Sequence, residues 1–225
     1  MSYPGGKGVS GVYQRLINQI PPHRVYIETH LGSGAIMRHK RPTELNLGLD
    51  VDPSIVSQWR GHPYARVTCQ DAGVFLADYP FEGDEFVYVD PPYLRSTRRS
   101  QRAIYAFEYT QAQHEALLDT LMELPCNVMV SGYWSELYAT RLGNWRTMTY
   151  AVRTRSGATA QEWVWMNYAE PETLHDYRYL GEDYRERERI RRRIARWKNR
   201  LENLAPLEQK AILAAISFQA AEEAT

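Results

Sequence analysis

The chain is poor in cysteine and has no long apolar run. Its two cysteines, Cys69 and Cys126, are too few for a disulfide framework or a structural zinc site, and we expect both to be buried, reduced thiols. No stretch reaches the roughly 18 apolar residues of a membrane helix, and the first twenty residues lack the apolar centre of a signal peptide. These absences predict a cytoplasmic protein without a membrane partner.

A net charge is also absent, because 27 Lys and Arg residues balance 27 Asp and Glu residues. The charges are unevenly distributed. Residues 185–200 hold nine basic and two acidic side chains, and residues 95–102 hold four arginines and no acid. The remainder holds 14 basic and 25 acidic residues, a net charge of −11. Two basic segments on an acidic body favour a polyanionic partner, whereas a single charged run is more often a solvated helix face.

Short apolar runs alternate with helical patterns over the first two thirds of the chain. The runs predict buried parallel strands at Val25–Thr29, Leu45–Leu49, Arg66–Cys69, Phe86–Val89 and Asn127–Ser131. The intervening patterns predict helices at Val9–Gln19, Ser54–Arg60 and Gln111–Leu124, the last with Thr110 as its N-cap. This alternation is typical of an open, mostly parallel α/β sheet.

The pattern changes after residue 144. Alternating, aromatic-rich runs at Trp145–Val152 and Glu162–Tyr168 predict an antiparallel hairpin at the sheet edge. Residues 182–204 and Leu207–Ala221 then predict two helices, the first with an apolar seam of Ile190, Ile194, Trp197, Leu201 and Leu204. We expect this seam to pack against the last helix or the body of the first domain rather than to form a coiled-coil dimer. The predicted domains are 1–170 and an Arg-rich helical appendage at 171–225.

Glycines and acids follow four successive predicted strands. Asp90-Pro91-Pro92-Tyr93 comes directly after one of them, and two prolines cannot continue a central strand. The other three strands are followed by Glu28 with the Gly32–Gly34 turn, by Asp50 and by Asp71. Open α/β sheets bind ligands at this edge, so a common crevice explains the pattern better than four unrelated turns.

Five segments together resemble the Dam-type, or D12 class, DNA adenine N6-methyltransferases, in order from Tyr3 to about Tyr168. They are YPGGKG at 3–8, ETHLGSG at 28–34, LDVD at 49–52, DPPY at 90–93 and VSGYWSELY at 130–138. The resemblance implies a Rossmann-like methyltransferase sheet, S-adenosyl-L-methionine as the cofactor, DNA as the partner and no metal.

The resemblance also implies roles for individual residues. Asp90, Pro91, Pro92 and Tyr93 would form the catalytic loop, in which Asp90 and the Pro91 carbonyl accept hydrogen bonds from the adenine amine. Tyr93 would stack on a base flipped out of the duplex. The cofactor would contact Tyr3, Gly6, Lys7, Glu28, Gly32, Gly34, Asp50 and Asp71.

Two departures from the family pattern stand out. Thr29-His30 replaces the usual Pro-Phe, and we expect His30 to serve as a packing ring and His114 to have a surface or packing role. Only eighteen residues separate Asp71 from Asp90, where the family inserts a target-recognition domain. Short or relaxed specificity is therefore expected, with DNA contacts from Arg95, Arg98, Arg99, Arg102, Arg189, Arg192, Arg193 and Arg196.

Other functions fit the same motifs. The chain could methylate adenine in RNA or the N4 amine of cytosine, because both amines have a delocalised lone pair. It could also be a non-catalytic nucleic-acid-binding or partner subunit of a larger assembly. A homodimer or a protein partner bound through the C-terminal helices is a further interpretation.

Overall fold

The structure, a computed structural model, describes residues 7–8, 11–98, 104–153 and 159–222. The chain divides into two compact units, Met1–Tyr177 and Arg178–Thr225. In the first unit, His175 donates its backbone N–H to the Ile20 carbonyl (2.9 Å), and its ring nitrogen lies 2.7 Å from the Arg41 carbonyl. The polypeptide therefore stays with the first unit for several residues beyond the predicted boundary at residue 170.

A seven-stranded sheet forms the centre of the first unit, in the order β3-β2-β1-β4-β5-β7-β6. The first five strands run parallel to one another, whereas β7 pairs antiparallel with both β5 and β6. The strands are β1 (Val25–Glu28), β2 (Leu45–Asp50), β3 (Arg66–Cys69), β4 (Glu85–Val89), β5 (Asn127–Gly132), β6 (Arg146–Arg153) and β7 (Thr159–Met166). The predicted parallel sheet and its C-terminal hairpin are confirmed.

Eight α-helices accompany the strands in the part of the chain that the structure describes. They are α1 (Val12–Ile17), α2 (Ala35–His39), α3 (Pro53–Ser57), α4 (Ala72–Asp78), α5 (Gln111–Glu123), α6 (Glu136–Arg141), α7 (Tyr184–Glu202) and α8 (Pro206–Glu222). Thr110 begins α5 as predicted, and Gln113 completes a capping box there. The prediction missed α4 and α6, which are short helices capped by Asp71 and Ser135.

Strands β1, β4 and β5 hold the core. Every residue of β1 and β4 is buried, which explains why these strands read as continuous apolar runs. Their side chains pack with α5 and with the hairpin in a cluster that includes Ile27, Val87, Val128, Leu118 and Trp165. This packing fixes the carboxyl ends of β1 and β4 beside each other.

The prediction of a buried strand at β3 was wrong. Among the described strands, β3 pairs with β2 alone and lies at the sheet edge, where three of its four residues are exposed. Cys69 is exposed as a consequence, so the expectation that both thiols are buried holds only for Cys126. Apolar content alone does not distinguish an edge strand from a central one.

The second unit consists mainly of α7 and α8. Asp183 caps α7 by accepting the N–H of Glu186 at 2.8 Å. On the predicted apolar seam, Ile194 and Trp197 are 55% and 63% exposed, so the expectation that the whole seam is packed is wrong for these two residues. No helix among the described residues is long and apolar enough to cross a membrane.

Burial lowers the pKa of three histidines, His23 and His30 to about 3 and His114 to about 4. Each is therefore neutral in the folded protein but takes up a proton below about pH 6.5 when unfolded. We predict that the free energy of unfolding falls as the pH drops from 6.5 to 4.5, by up to about 1.4 kcal/mol per pH unit for each histidine. Urea unfolding across this range measures the slope. His23→Asn should make it shallower, and a pH-independent free energy would contradict the prediction.

Candidate active site

A cavity of about 250 Å³ opens where the strand order reverses, between β1 and β4. The carboxyl ends of β1, β2 and β4 reach it, and open parallel sheets place their ligands at such a point. It is lined by Lys7, Ala35, Ala72, Tyr88 and Tyr109, and by residues 28–33, 50–52, 90–92 and 104–107. The structure thus brings together the predicted residues Lys7, Glu28, Gly32, Asp50, Asp90, Pro91 and Pro92.

Asp50 ties the glycine turn after β1 to the end of β2. Its Oδ2 accepts the Gly32 N–H at 2.9 Å, and its Oδ1 accepts the Asp52 N–H at 2.9 Å. Burial raises the pKa of Asp50, and these hydrogen bonds oppose that rise. Each carboxylate oxygen has a second lone pair, so Asp50 can still accept hydroxyl donors from a ligand.

Gly34 is not among the residues that line the cavity. It begins α2 with a φ of +60°, and a Cβ atom on it would lie 2.1 Å from the ring of Trp59. The space beside Gly34 is therefore filled by a tryptophan. The predicted contact between Gly34 and the cofactor stays a prediction, and the missing side chain of Gly34 makes room for Trp59.

Asp90 lies at the end of β4 and faces the cavity. Its Oδ1 is 2.9 Å from Lys7 Nζ and accepts a hydrogen bond of 2.7 Å from the Ser131 hydroxyl. Burial raises the pKa of Asp90, while the charge of Lys7 opposes that rise. Both contacts use Oδ1, so Oδ2 is the oxygen through which Asp90 can accept hydrogen bonds from a bound molecule.

Lys7 is a buried cation shared by two carboxylates. Its Nζ lies 2.9 Å from Asp90 and 3.0 Å from Glu162 Oε2, and it donates to the hydroxyl of Tyr93. Burial lowers the pKa of Lys7, but the surrounding acids and tyrosines outweigh that effect and raise the pKa well above its ordinary value. Lys7 therefore stays charged beside Asp90.

Glu162 was missed by the sequence reasoning. It lies on β7. Its side chain is buried, as are those of Val164 and Met166, which follow at the alternate positions of the strand. A charged residue at an inward position of an alternating strand was the signal that could have found it, because such a residue needs a buried partner.

Tyr93 is buried rather than exposed to the cavity. Only 5% of the residue is accessible, and its ring lies 4.5 Å from that of Tyr133 between centroids. Its predicted stacking on a flipped base stays a prediction.

Two histidines lie near the site: His114 has a packing role, as expected, whereas His30 is half-buried and lines the cavity. The ring nitrogens of His30 lie 2.8 Å from the Thr29 hydroxyl and 3.0 Å from the Tyr109 hydroxyl. His114 is fully buried, with Nδ1 2.9 Å from the Tyr138 hydroxyl. Because burial keeps both pKa values low, neither ring carries charge at neutral pH.

Arg98 does not serve as the predicted DNA contact. It is buried, pairs with Glu108 at 2.6 Å and donates to the Tyr93 carbonyl, so its guanidinium binds within the protein. Asp71 caps α4 by accepting the Val74 N–H and is exposed. Arg95 and the predicted arginines of α7 are exposed, whereas Tyr3, Gly6, Arg99 and Arg102 lie outside the described residues.

Residues 55–138 match the family model described as D12 class N6 adenine-specific DNA methyltransferase. This match confirms the resemblance to the D12 class. The matched range contains Asp90 to Tyr93, whereas the segments at 3–8, 28–34 and 49–52 lie before it. Together with the sheet topology, it identifies a methyltransferase with a Rossmann-like fold. No curated protein matches the chain.

Several solved structures are similar to parts of this methyltransferase. Protein 1320 of Thermoplasma acidophilum has 10% identity over 70% of this chain and 86% of its own, with a TM-score of 0.48. The 23S rRNA methyltransferase ErmE has 16% identity over 73% of this chain and 70% of its own, with a TM-score of 0.44. The Streptococcus mutans protein SMU.1697c, solved in complex with SAH, has 9% identity over 72% of this chain and 98% of its own, with a TM-score of 0.47.

Among the described residues, no group of three or more His, Cys, Asp or Glu side chains could hold a metal ion. The polar groups that face the cavity include the carboxyl groups of Asp50 and Asp90 and the ammonium group of Lys7. Such groups suit hydrogen bonding to an organic ligand.

Gly34→Ala should destabilise the first unit more than Gly61→Ala. Both glycines have a positive φ, which costs alanine roughly 1–2 kcal/mol, but only Gly34 has Trp59 where the new methyl group would lie. We predict an additional loss of about 1–3 kcal/mol for Gly34→Ala. Urea unfolding measures both variants, and equal losses would show that Trp59 moves aside freely.

Proposed function

We propose that the protein transfers a methyl group from S-adenosyl-L-methionine to the N6 amine of an adenine flipped out of DNA, with short or relaxed sequence specificity. The observation that carries the proposal is the geometry of Asp90. Its Oδ1 is occupied by Lys7 and Ser131, while the side chain lies at the cavity wall beside Pro91. Oδ2 and the Pro91 carbonyl can then accept the two hydrogens of one amine.

An exocyclic amine is a poor nucleophile because its lone pair is delocalised into the ring. Two acceptors that bind its hydrogens draw the nitrogen towards tetrahedral geometry and localise the lone pair on the opposite side. This interaction is stronger in the transition state than in the ground state, because the nitrogen becomes positive as the new bond forms. Asp90 is suited to this task, since its remaining oxygen is held in a fixed direction.

The cavity fits the proposed cofactor, which when bound supplies an electrophilic methyl group on a sulfonium centre. Asp50 would accept the ribose hydroxyls. Burial raises the pKa of Glu28 to about 8, so this carboxyl group is protonated at neutral pH and can donate a hydrogen bond to the cofactor.

Other predicted contacts belong to the same proposal. Gly32, Lys7, Tyr3, Gly6 and Asp71 would contact the cofactor from the two turns and from the start of α4. Tyr93 would stack on the flipped base.

The basic helix α7 is proposed to bind the DNA backbone. Arg189, Arg192, Arg193 and Arg196 are exposed on it, and arginines directed to several sides of one helix suit phosphates better than base edges. Arg95, which follows the catalytic loop and is also exposed, would contact phosphates near the flipped base. The exposed Ile194 and Trp197 support a protein partner or a second copy at the same helix.

Asp90→Asn should abolish most methyl transfer while leaving cofactor binding intact. The amide keeps the shape of the side chain but lacks the charge that stabilises the developing positive nitrogen, so we expect a loss of at least about 100-fold in kcat. Transfer of labelled methyl to unmethylated DNA measures the rate, and calorimetry measures cofactor affinity. Asp78→Asn, at an exposed position on α4, is the matched control. Retention of a tenth of the activity in Asp90→Asn would refute the role.

Removal of two arginines from α7 should flatten the salt dependence of DNA binding. Each phosphate contact contributes about 0.9 to the slope of log K against log salt for duplex DNA, so Arg192→Gln with Arg196→Gln should lower the slope by up to about 1.8. Fluorescence anisotropy with a duplex at several salt concentrations measures it. The control pair is Arg60→Gln with Arg66→Gln, exposed residues of the first unit. An unchanged slope in the α7 variant would exclude these contacts.

A further inference from the structure

A second buried carboxylate, that of Glu162, contacts the same lysine as Asp90. Glu162 is 4% exposed, and its Oε2 lies 3.0 Å from Lys7 Nζ and accepts a hydrogen bond of 2.8 Å from the Tyr150 hydroxyl. A carboxylate without compensating partners is costly to bury, and here the partners come from the N-terminal turn and from β6. Neither Glu162 nor Tyr150 has a role in the proposed chemistry so far.

The pairing register of the hairpin strands β6 and β7 fixes the position of the Glu162 carboxylate. Tyr150 of β6 and Glu162 of β7 are directly opposed in the antiparallel ladder, so the donor and the acceptor lie on neighbouring strands of one face. Strand β7 also pairs with β5, where Ser131 lies opposite Val164. The sheet thus sets the position of Glu162 relative to Ser131, which donates to Asp90.

We propose that Glu162 is a positioning residue for methyl transfer, which holds the Lys7 ammonium midway between two carboxylates and so keeps Asp90 Oδ2 turned towards the amine. The inference rests on the proposed function. The nearly equal distances from Lys7 to Asp90 and Glu162, 2.9 and 3.0 Å, are what a shared cation requires. Without the charge of Glu162, Lys7 would bind Asp90 alone and draw electron density from it, which weakens the acceptor.

Several groups face Asp90 and set its protonation. Lys7 lowers its pKa and Glu162 raises it, in addition to the rise caused by burial. The other titratable neighbours are Tyr93 of the catalytic loop, Tyr88 of β4, Glu28 of β1, Tyr138 of α6 and Tyr150 of β6. Replacement of Glu162 by glutamine removes one negative charge from this set, so the pKa of Asp90 should fall.

Methyl transfer across pH tests the role in Glu162→Gln. We expect kcat to fall at least about tenfold, the KM for the cofactor to stay within about twofold, and the acidic limb of the kcat profile to move to lower pH. Glu85→Gln is the matched control, because Glu85 is a buried glutamate at the opposite end of β4 that accepts the N–H groups of Glu82 and Gly83. That variant should lose stability without moving the limb.

A second variant covers the case in which Glu162→Gln does not fold. Tyr150→Phe removes one hydrogen bond from the same carboxylate and should lower kcat by about two- to fivefold, with the KM unchanged. An unchanged kcat and an unmoved acidic limb in whichever variant folds would overturn the inference.

A titration that needs no turnover separates this inference from the proposed function. The carboxyl carbon of Asp90, labelled with ¹³C and assigned by its loss in Asp90→Asn, should titrate at lower pH in Glu162→Gln than in the unsubstituted protein. If that protein transfers no methyl group, the proposed function fails, and the titration still reports whether the two acids share Lys7. An Asp90 pKa that is the same with and without Glu162 would exclude the shared cation.

Discussion

The site depends on the two buried ion pairs that the ammonium group of Lys7 forms with Asp90 and Glu162. This ammonium group joins the N-terminal turn, the end of β4 and the C-terminal hairpin, three parts of the chain that are distant in sequence. A lone buried charge would be too costly, so each of the three groups requires the others. The same arrangement occupies one oxygen of Asp90 and leaves the other for a bound molecule.

The topology of the sheet explains why this cluster lies beside a cavity. The strand order reverses between β1 and β4, so the chain leaves these neighbouring strands in different directions and opens a crevice between them. Gly32 and Asp50 close one side of the crevice, and Asp90 with Pro91 forms another. The antiparallel hairpin extends the sheet beyond β5 and also brings Glu162 to within 3.0 Å of Lys7.

Much of the fold and part of the site could be predicted from sequence. Buried parallel strands read as apolar runs, and residues just beyond them must meet at one edge, which identified Asp50 and Asp90. Contacts between distant segments could not be read in this way. Arg98 looked like a phosphate ligand but pairs with Glu108, and Gly34 accommodates Trp59. Glu162 was not predicted as a site residue because its partner, Lys7, lies 155 positions earlier in the sequence. Cys69 was wrongly predicted to be buried because edge and central strands have similar composition.

The second unit adds a different kind of surface, an exposed helix rich in arginine with apolar side chains between the charges. The net charge of the chain is zero because the positive charge of this helix is balanced by the negative charge of the remaining residues. The net value therefore represents the charge of neither part. The most direct test of the account is to incubate the protein with methyl-labelled S-adenosyl-L-methionine and unmethylated DNA, and then to identify the labelled nucleoside. The account predicts label in N6-methyl-2′-deoxyadenosine. Label in N4-methyl-2′-deoxycytidine, or no transfer to DNA at all, would contradict it.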